Sequence, residues 1–295
     1  MDYNKLQKQI QIEFPHLAKH GFTPLPSDWD YENILVDGEW VFRFPKNKLA
    51  AAALVRENNF LPEIIPTLPV SLPFPSWFPP ESNTWDKQFQ GSPLQLGDIC
   101  TLKDFKRIIG SELRISFTEQ LAGFLSALHS FSVPQARMYN IPEKHGKVFW
   151  RKFYDSIKTK ILAFMDPQTG LKFKNIFTEY LKGADSREDV LALIHGDLDI
   201  DKMMISDNRL TSITNFRYMS LSDPALDFAY FYLIDKKFTV ELIQKYESRE
   251  RDELLRRVWK FFIFIIPIKK ILHGIENDNP NLRDEGLSEL KKMLR

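Results

Sequence analysis

The stretch Leu193-Ile-His-Gly-Asp-Leu-Asp-Ile-Asp-Lys-Met-Met-Ile-Ser206 gathers the side chains most able to do chemistry: His195, Asp197, Asp199, Asp201 and Lys202. An apolar run leads into His195-Gly-Asp-Leu198, a second follows at Met203 to Ile205, and a third runs from Leu210 to Phe216 beyond an Asp207-Asn208 turn. That order reads as a catalytic loop followed by a β-hairpin. Ser222-Asp-Pro-Ala-Leu-Asp227 comes shortly after.

Several elements have to position this loop. Leu6, Ile10, Phe14 and Leu17 form a helical stripe interrupted at Pro15 and stopped at Gly21. Glu32 to Val36 and Glu39 to Phe44 flank Asp37-Gly38, a strong hairpin signal. Lys48 to Ile65 reads as a helix with Ala50 to Ala53, Leu54, Phe60 and Leu61 on its apolar side, weakened at Pro62. Prolines from Pro66 to Pro80 permit only an extended or edge segment. Trp85 to Gln90 reads as one more strand, with Gly91-Ser-Pro93 as a hinge.

Beyond Leu94 the composition turns helical. Phe117 to Phe131, Val148 to Phe164, Leu171 to Leu181, Phe238 to Tyr246, Glu253 to Ile275 and Leu282 to Leu294 are candidate helices, with the Phe261 to Ile268 run buried and kinked at Pro267. The outline is an α+β chain with two lobes: an N-terminal β-plus-helix lobe over residues 1–91, and a mostly helical C-terminal lobe over residues 92–295 that carries the loop.

The totals exclude some classes. The chain has 295 residues, 43% hydrophobic and 27% charged, with 40 basic against 39 acidic side chains. That balance gives no argument for nucleic acid or an anionic membrane as partner. A single cysteine, Cys100, rules out an intramolecular disulfide framework and fits a reducing cytoplasm. No apolar run reaches the roughly 20 residues of a membrane span, and Met1 to Ile12 is no signal peptide.

Three blocks in order, Gly38-Glu-Trp-Val-Phe-Arg-Phe-Pro45 with Arg56-Glu57, Leu125-Ser-Ala-Leu-His129, and His195-Gly-Asp-Leu198 leading to Asp223-Pro-Ala-Leu-Asp227, resemble the aminoglycoside phosphotransferase family. This family is the small-molecule-kinase branch of the protein-kinase-like fold. The resemblance implies that fold, with a small antiparallel-sheet N-lobe and a larger helical C-lobe. It also implies ATP or GTP as cofactor together with Mg2+, and a small hydroxylated molecule as acceptor. Phosphoryl transfer needs a tight loop over the phosphates, a strand cation held by a helix glutamate, a carboxylate facing the acceptor hydroxyl, and metal ligands.

Mapped residue by residue, the resemblance makes Asp197 the catalytic carboxylate and Arg43 the strand cation, where a lysine is usual, with Glu57 as its partner. Lys87 to Phe89 become the hinge along which the purine would bind. His195 is expected to brace the loop, and Asp223 and Asp227 to hold the loop and the next helix. The departures are Asp28, at the glycine of the phosphate loop; Lys202, five residues after Asp197, where a metal-binding asparagine belongs; and Asn215, for the principal metal carboxylate. The resemblance thus implies a pseudokinase-like or strongly impaired member. Two alternatives stay open: an active kinase whose cation is the Lys202 ammonium or a metal shifted to Asp199 and Asp201, and a protein-interaction module that binds no nucleotide. Glu112, Glu119, Asp155, Asp166 and Asp185, the acids that could meet a polycationic acceptor, are scattered.

Overall fold

The computed structural model describes residues 2–28, 30–80, 84–183, 190–247 and 250–295. In chain order the elements are α1 (Tyr3–Glu13), β1 (Phe22–Leu25), β2 (Tyr31–Val36), β3 (Trp40–Pro45), α2 (Lys48–Ile64), β4 (Gln90–Pro93), β5 (Asp98–Ile99), α3 (Leu102–Ile109), α4 (Arg114–His129) and α5 (Val133–Met138). They continue with α6 (Gly146–Leu162), α7 (Pro167–Lys182), β6 (Ala192–Ile194), β7 (Met203–Ser206), β8 (Arg209–Ile213), β9 (Ser220–Ser222), α8 (Ala225–Ile234), α9 (Lys236–Lys245), α10 (Arg251–Arg257), α11 (Ile263–Glu276) and α12 (Pro280–Met293). Two compact units result. One comprises Met1–Gln120, Pro134–Ile141 and Ile200–Tyr218; the other comprises Leu121–Val133, Pro142–Asp199 and Met219–Arg295.

In the first unit β1-β2-β3-β4 form an antiparallel sheet, and β5-β7-β8 form a smaller one. Asp37 and Gly38 both take positive φ, 51° and 71°, the type I′ geometry whose twist matches the strands it joins. Alternation along β3 sends Phe42 and Phe44 into a core with Leu6, Ile10, Leu17, Ile34, Val36 and Phe89. Arg43, between them, therefore points to the other face, where α2 lies. The Asn47 side chain caps α2 by accepting the Ala50 N–H at 2.9 Å, and Ala50, Ala53, Leu54, Phe60 and Leu61 are buried along the predicted stripe.

The strand expected over Trp85 to Gln90 is displaced. Trp85–Lys87 is a single 3-10 turn, with Gln88 donating back to the Trp85 carbonyl, and pairing with β3 begins at Gln90 opposite Arg43. Asp86 and Lys87 are solvated and offer no alternating apolar face, so nothing holds them extended until β3 supplies hydrogen bonds. Gly91 lets β4 lie close to its neighbours: a Cβ there would stand 2.6 Å from the Phe42 ring and 2.9 Å from Trp77 Cβ. Gly91→Ala is expected to lower stability by about 1–3 kcal/mol through overpacking, read as a lower urea midpoint at unchanged slope. An unchanged midpoint would mean that the sheet has room to spare. The aromatic segment from Trp77 packs inward against Phe14, His16 and Trp40; its residues 81–83 lie outside the described residues.

In the second unit α6, α7 and the segment before α11 share an aromatic core. Tyr180 stacks on Phe261 with centroids 3.6 Å apart, while Trp150 meets both Phe261 and Phe262 edge-on. The single helix expected from Glu253 to Ile275 is interrupted: Val258–Phe262 forms a π-helical turn between α10 and α11. Regular α spacing turns consecutive residues 100° apart, and the wider turn lets Phe261 and Phe262 both insert, at 1% and 0% exposure. Pro267 lies within α11 as predicted. The helix expected after Asp223 and Asp227 is α8; it shows no apolar period of its own, because it is buried on nearly every side. The reading missed α3, which begins with a Thr101–Asp104 capping box. No helix among the described residues is long and apolar enough to cross a membrane.

Candidate active site

In the second unit the paired β6 and β9, with Ala192 opposite Ser222 and Ile194 opposite Ser220, deliver the His195-Gly196-Asp197 loop from a fully buried base. Gly196 takes φ 79°, which a side chain would strain. The buried Asp227 carboxylate in the first turn of α8 holds the loop, accepting the His195 and Gly196 N–H groups, each at 2.8 Å. It also meets His129 Nε2 at 3.2 Å, and His129 Nδ1 lies 3.0 Å from the Tyr246 hydroxyl. Burial alone would raise the Asp227 pKa. The His129 hydrogen bond and charge, with His195 and the Gly196 amide, outweigh it and hold the carboxyl below the ordinary range.

Asp223 accepts the Ala225 N–H at 2.9 Å and pairs with Arg257 at 2.7 Å, fixing the start of α8. His195 Nδ1 accepts the Asp197 N–H at 3.3 Å. With the loop braced in this way, the Asp197 carboxylate keeps some access to solvent at 19% exposure. Two side chains reach it that the sequence reading did not select. Lys269 Nζ of α11 donates to the Gly196 carbonyl and lies 3.4 Å from Asp197 Oδ1, and the Tyr230 hydroxyl lies 3.5 Å from the same oxygen. One signal for Lys269 was available: Lys269-Lys270 abruptly ends the apolar run Phe261 to Ile268.

In the first unit Arg43 meets Glu57 at 2.5 Å, Gln90 through the same Nη2, and the Tyr31 ring at 5.0 Å. Gln90 in turn donates to Asn58 at 2.7 Å, so β3, β4 and α2 are tied by one buried polar network. Burial disfavours the Arg43 charge, but Glu57, Tyr31 and Asp28 more than offset this, and its pKa rises. The predicted Arg43–Glu57 pair is formed. Gln90 and Asn58 went unnoticed, because a neutral amide in a strand or helix carries no sequence signal of its partner.

Asp28 serves its own loop. Its Oδ1 accepts the N–H groups of Asp30 and Tyr31 at 2.8 and 2.7 Å, so two amides that a phosphate could use are already bonded. Although the residue is exposed, protein crowds its carboxylate, and the lost solvation raises the pKa against the Tyr31 amide and the charges of Arg43, Lys46 and Lys202. Asp30, which is buried, forms an ion pair with Arg217. Trp29, between them, lies outside the described residues.

Lys202 closes a 3-10 turn, and its ammonium donates to both Asp201 oxygens at 2.7 Å. Its carbonyl accepts from the Thr214 N–H at 2.9 Å, which ties it to the segment that carries Asn215. Asn215 has φ 63°, and its Oδ1 is buried without a hydrogen-bond partner. A neutral carbonyl oxygen and an ammonium do not make a magnesium site, which ordinarily relies on one or two carboxylates. Among the described residues no group of three or more His, Cys, Asp or Glu side chains could hold a metal ion.

Lys87 is exposed at the end of its turn, and the Phe89 ring belongs to the sheet core, stacking obliquely on Phe44 at 5.1 Å. The scattered acids have local duties: Asp155 pairs with Lys158, and Asp166 caps α7. Glu112 and Glu119 are exposed, and Asp185 lies outside the described residues.

Solved structures share this fold. The GDP and kanamycin complex of APH(2")-IIia is 24% identical over 98% of both chains, with a TM-score of 0.88. The GDP complex of wild-type aminoglycoside 2'-phosphotransferase-IIIa is 23% identical over 100% of this chain and 99% of that one, at 0.84. A macrolide 2'-phosphotransferase type I reaches 0.72 at 16% identity over 98% and 96%. This is the two-lobed, protein-kinase-like α+β fold expected from the three sequence blocks. No curated protein matches. Residues 21–261 match the phosphotransferase enzyme family, and the chain belongs to that family.

Proposed function

We propose that this protein is a pseudokinase-like member of its family, one that binds a nucleotide and a small molecule with metal-dependent phosphoryl transfer lost or strongly impaired. The observation that carries the reading is Lys202. A cation stands where the second metal ligand belongs, its ammonium held by both oxygens of Asp201. Asn215 contributes no charge in place of the principal carboxylate. Without a metal the developing charge on a transferring phosphoryl group loses its main stabiliser. The chain's own residues would still do part of the work: Arg43, fixed by Glu57 and Gln90, presents a cation from β3, and Asp197, braced by His195, presents a carboxylate to an acceptor hydroxyl. The purine would lie along the backbone of Lys87 to Phe89, near the lobe boundary at Gly91, with ATP and GTP as the candidate nucleotides. The lone buried Cys100 supports a cytoplasmic setting.

A thermal-shift titration with ATP and GTP, with and without magnesium or manganese, tests this. The expected result is the same stabilisation with and without metal, about 2.7 kcal/mol at a nucleotide concentration a hundred times Kd. Stabilisation only with metal would replace this reading with an active kinase. No shift with either nucleotide would leave the interaction module.

A further inference from the structure

We propose that Lys269 sets the charge selectivity of the small-molecule site at Asp197, so that this protein excludes polycationic amines and takes a neutral or anionic hydroxylated molecule. The inference rests on the reading of Asp197 as the carboxylate that faces an acceptor. Lys269 is anchored by the Gly196 carbonyl, where the chain takes a positive φ, and its Nζ lies 3.4 Å from Asp197 Oδ1. The two side chains are 28% and 19% exposed, so the pair meets solvent and any molecule that approaches the carboxylate. Lys270, its neighbour, turns to Glu285 and Glu289 of α12 and supplies the helix-to-helix ion pairs, so that structural duty does not fall to Lys269.

Two nearby carboxylates that hold the loop are already committed. Asp227 is saturated by two amides and His129, and Asp223 by the Ala225 amide and Arg257, both at 1% exposure or less. Asp197 is thus the loop carboxylate that faces a ligand among these three, and Lys269 neutralises it. Tyr230 adds a hydroxyl to the same oxygen. A polyamine would meet the Lys269 ammonium beside the Asp197 carboxylate, whereas a hydroxyl- or oxyanion-bearing molecule would meet donors.

Isothermal titration with kanamycin as the polycationic probe distinguishes the outcomes, using the full chain, Lys269→Met, which keeps the stem and removes the charge, and Lys269→Asp, which reverses it. Binding is expected to tighten from the native chain through Lys269→Met to Lys269→Asp, by on the order of 10-fold or more across the series. Equal affinity in all three, or detectable binding in none, would overturn the proposal. Thermal melts confirm folding of each variant. An ATP and GTP shift measured on the same samples reports the nucleotide reading separately, so failure of one is not mistaken for failure of the other.

Discussion

Asn215→Asp combined with Lys202→Asn is expected to create magnesium-dependent nucleotide binding, which is not expected of the native chain. The two substitutions put a carboxylate and a neutral amide at the two ligand positions and remove the Lys202 ammonium. Asn215 stands at φ 63°, and aspartate, like asparagine, tolerates that left-handed conformation, so the backbone should carry the new carboxylate unchanged. Releasing Asp201 from Lys202 frees an exposed acid and costs little, since surface pairs contribute about 0–1 kcal/mol. With nucleotide at a hundred times Kd, the variant should gain about 2.7 kcal/mol on adding magnesium, or roughly 5 °C in midpoint. A double variant that still ignores magnesium would show that Asp28 and its loop, rather than the ligand positions, decide the matter.

Replacing Asp227 should be among the costlier single changes in the second unit. Asp227→Ala strands the His195 and Gly196 amides and His129 in a buried site, and loss of one partner of such a network is expected to cost about 3–5 kcal/mol. Asp227→Asn keeps the shape but gives up the charge and one acceptor oxygen, so a smaller loss, about 2–3 kcal/mol, should follow. The sign with pH follows from the lowered folded pKa. Stabilisation from Asp227 is complete above the carboxyl's unfolded value and drains away as pH falls through the lower folded value. In Asp227→Asn that acid-dependent component should vanish, flattening the lower limb of the stability profile. If Asp227→Ala unfolds within about 1 kcal/mol of the native chain, the carboxylate is not what holds the loop.

Much of this was written in the chain. The Asp37-Gly38 turn, the β3 alternation that sends Arg43 away from Phe42 and Phe44, and the stripe on α2 that carries Glu57 each follow from local rules of period and turn chemistry. They suffice to bring Arg43 to Glu57. The three ordered blocks were enough to indicate the family; Lys202 could be singled out by counting five residues from Asp197, and Asn215 by its place in Thr214-Asn215-Phe216. These features are legible because each depends on residues near one another in sequence or at fixed spacing within a motif.

Other features depended on long-range packing. The strand after the proline-rich segment starts at Gln90 rather than Trp85, because its partner β3 dictates the register. The π turn at Val258–Phe262 exists because two consecutive phenylalanines find room between Trp150 and Tyr180. Asp28 turned out to bond its own loop amides, and Gln90 proved to be the second grip on Arg43. Lys269 is the sharpest case: it lies 72 residues from Asp197 in the chain, on a helix whose pattern speaks only of burial. The sequence alone was enough for the resemblance to the family and for the departures from its motifs at Lys202 and Asn215, since a motif match records residue types position by position. Only the tertiary structure decided which cation Asp197 faces, because that depends on how α11 packs beside the loop, and no local period encodes it.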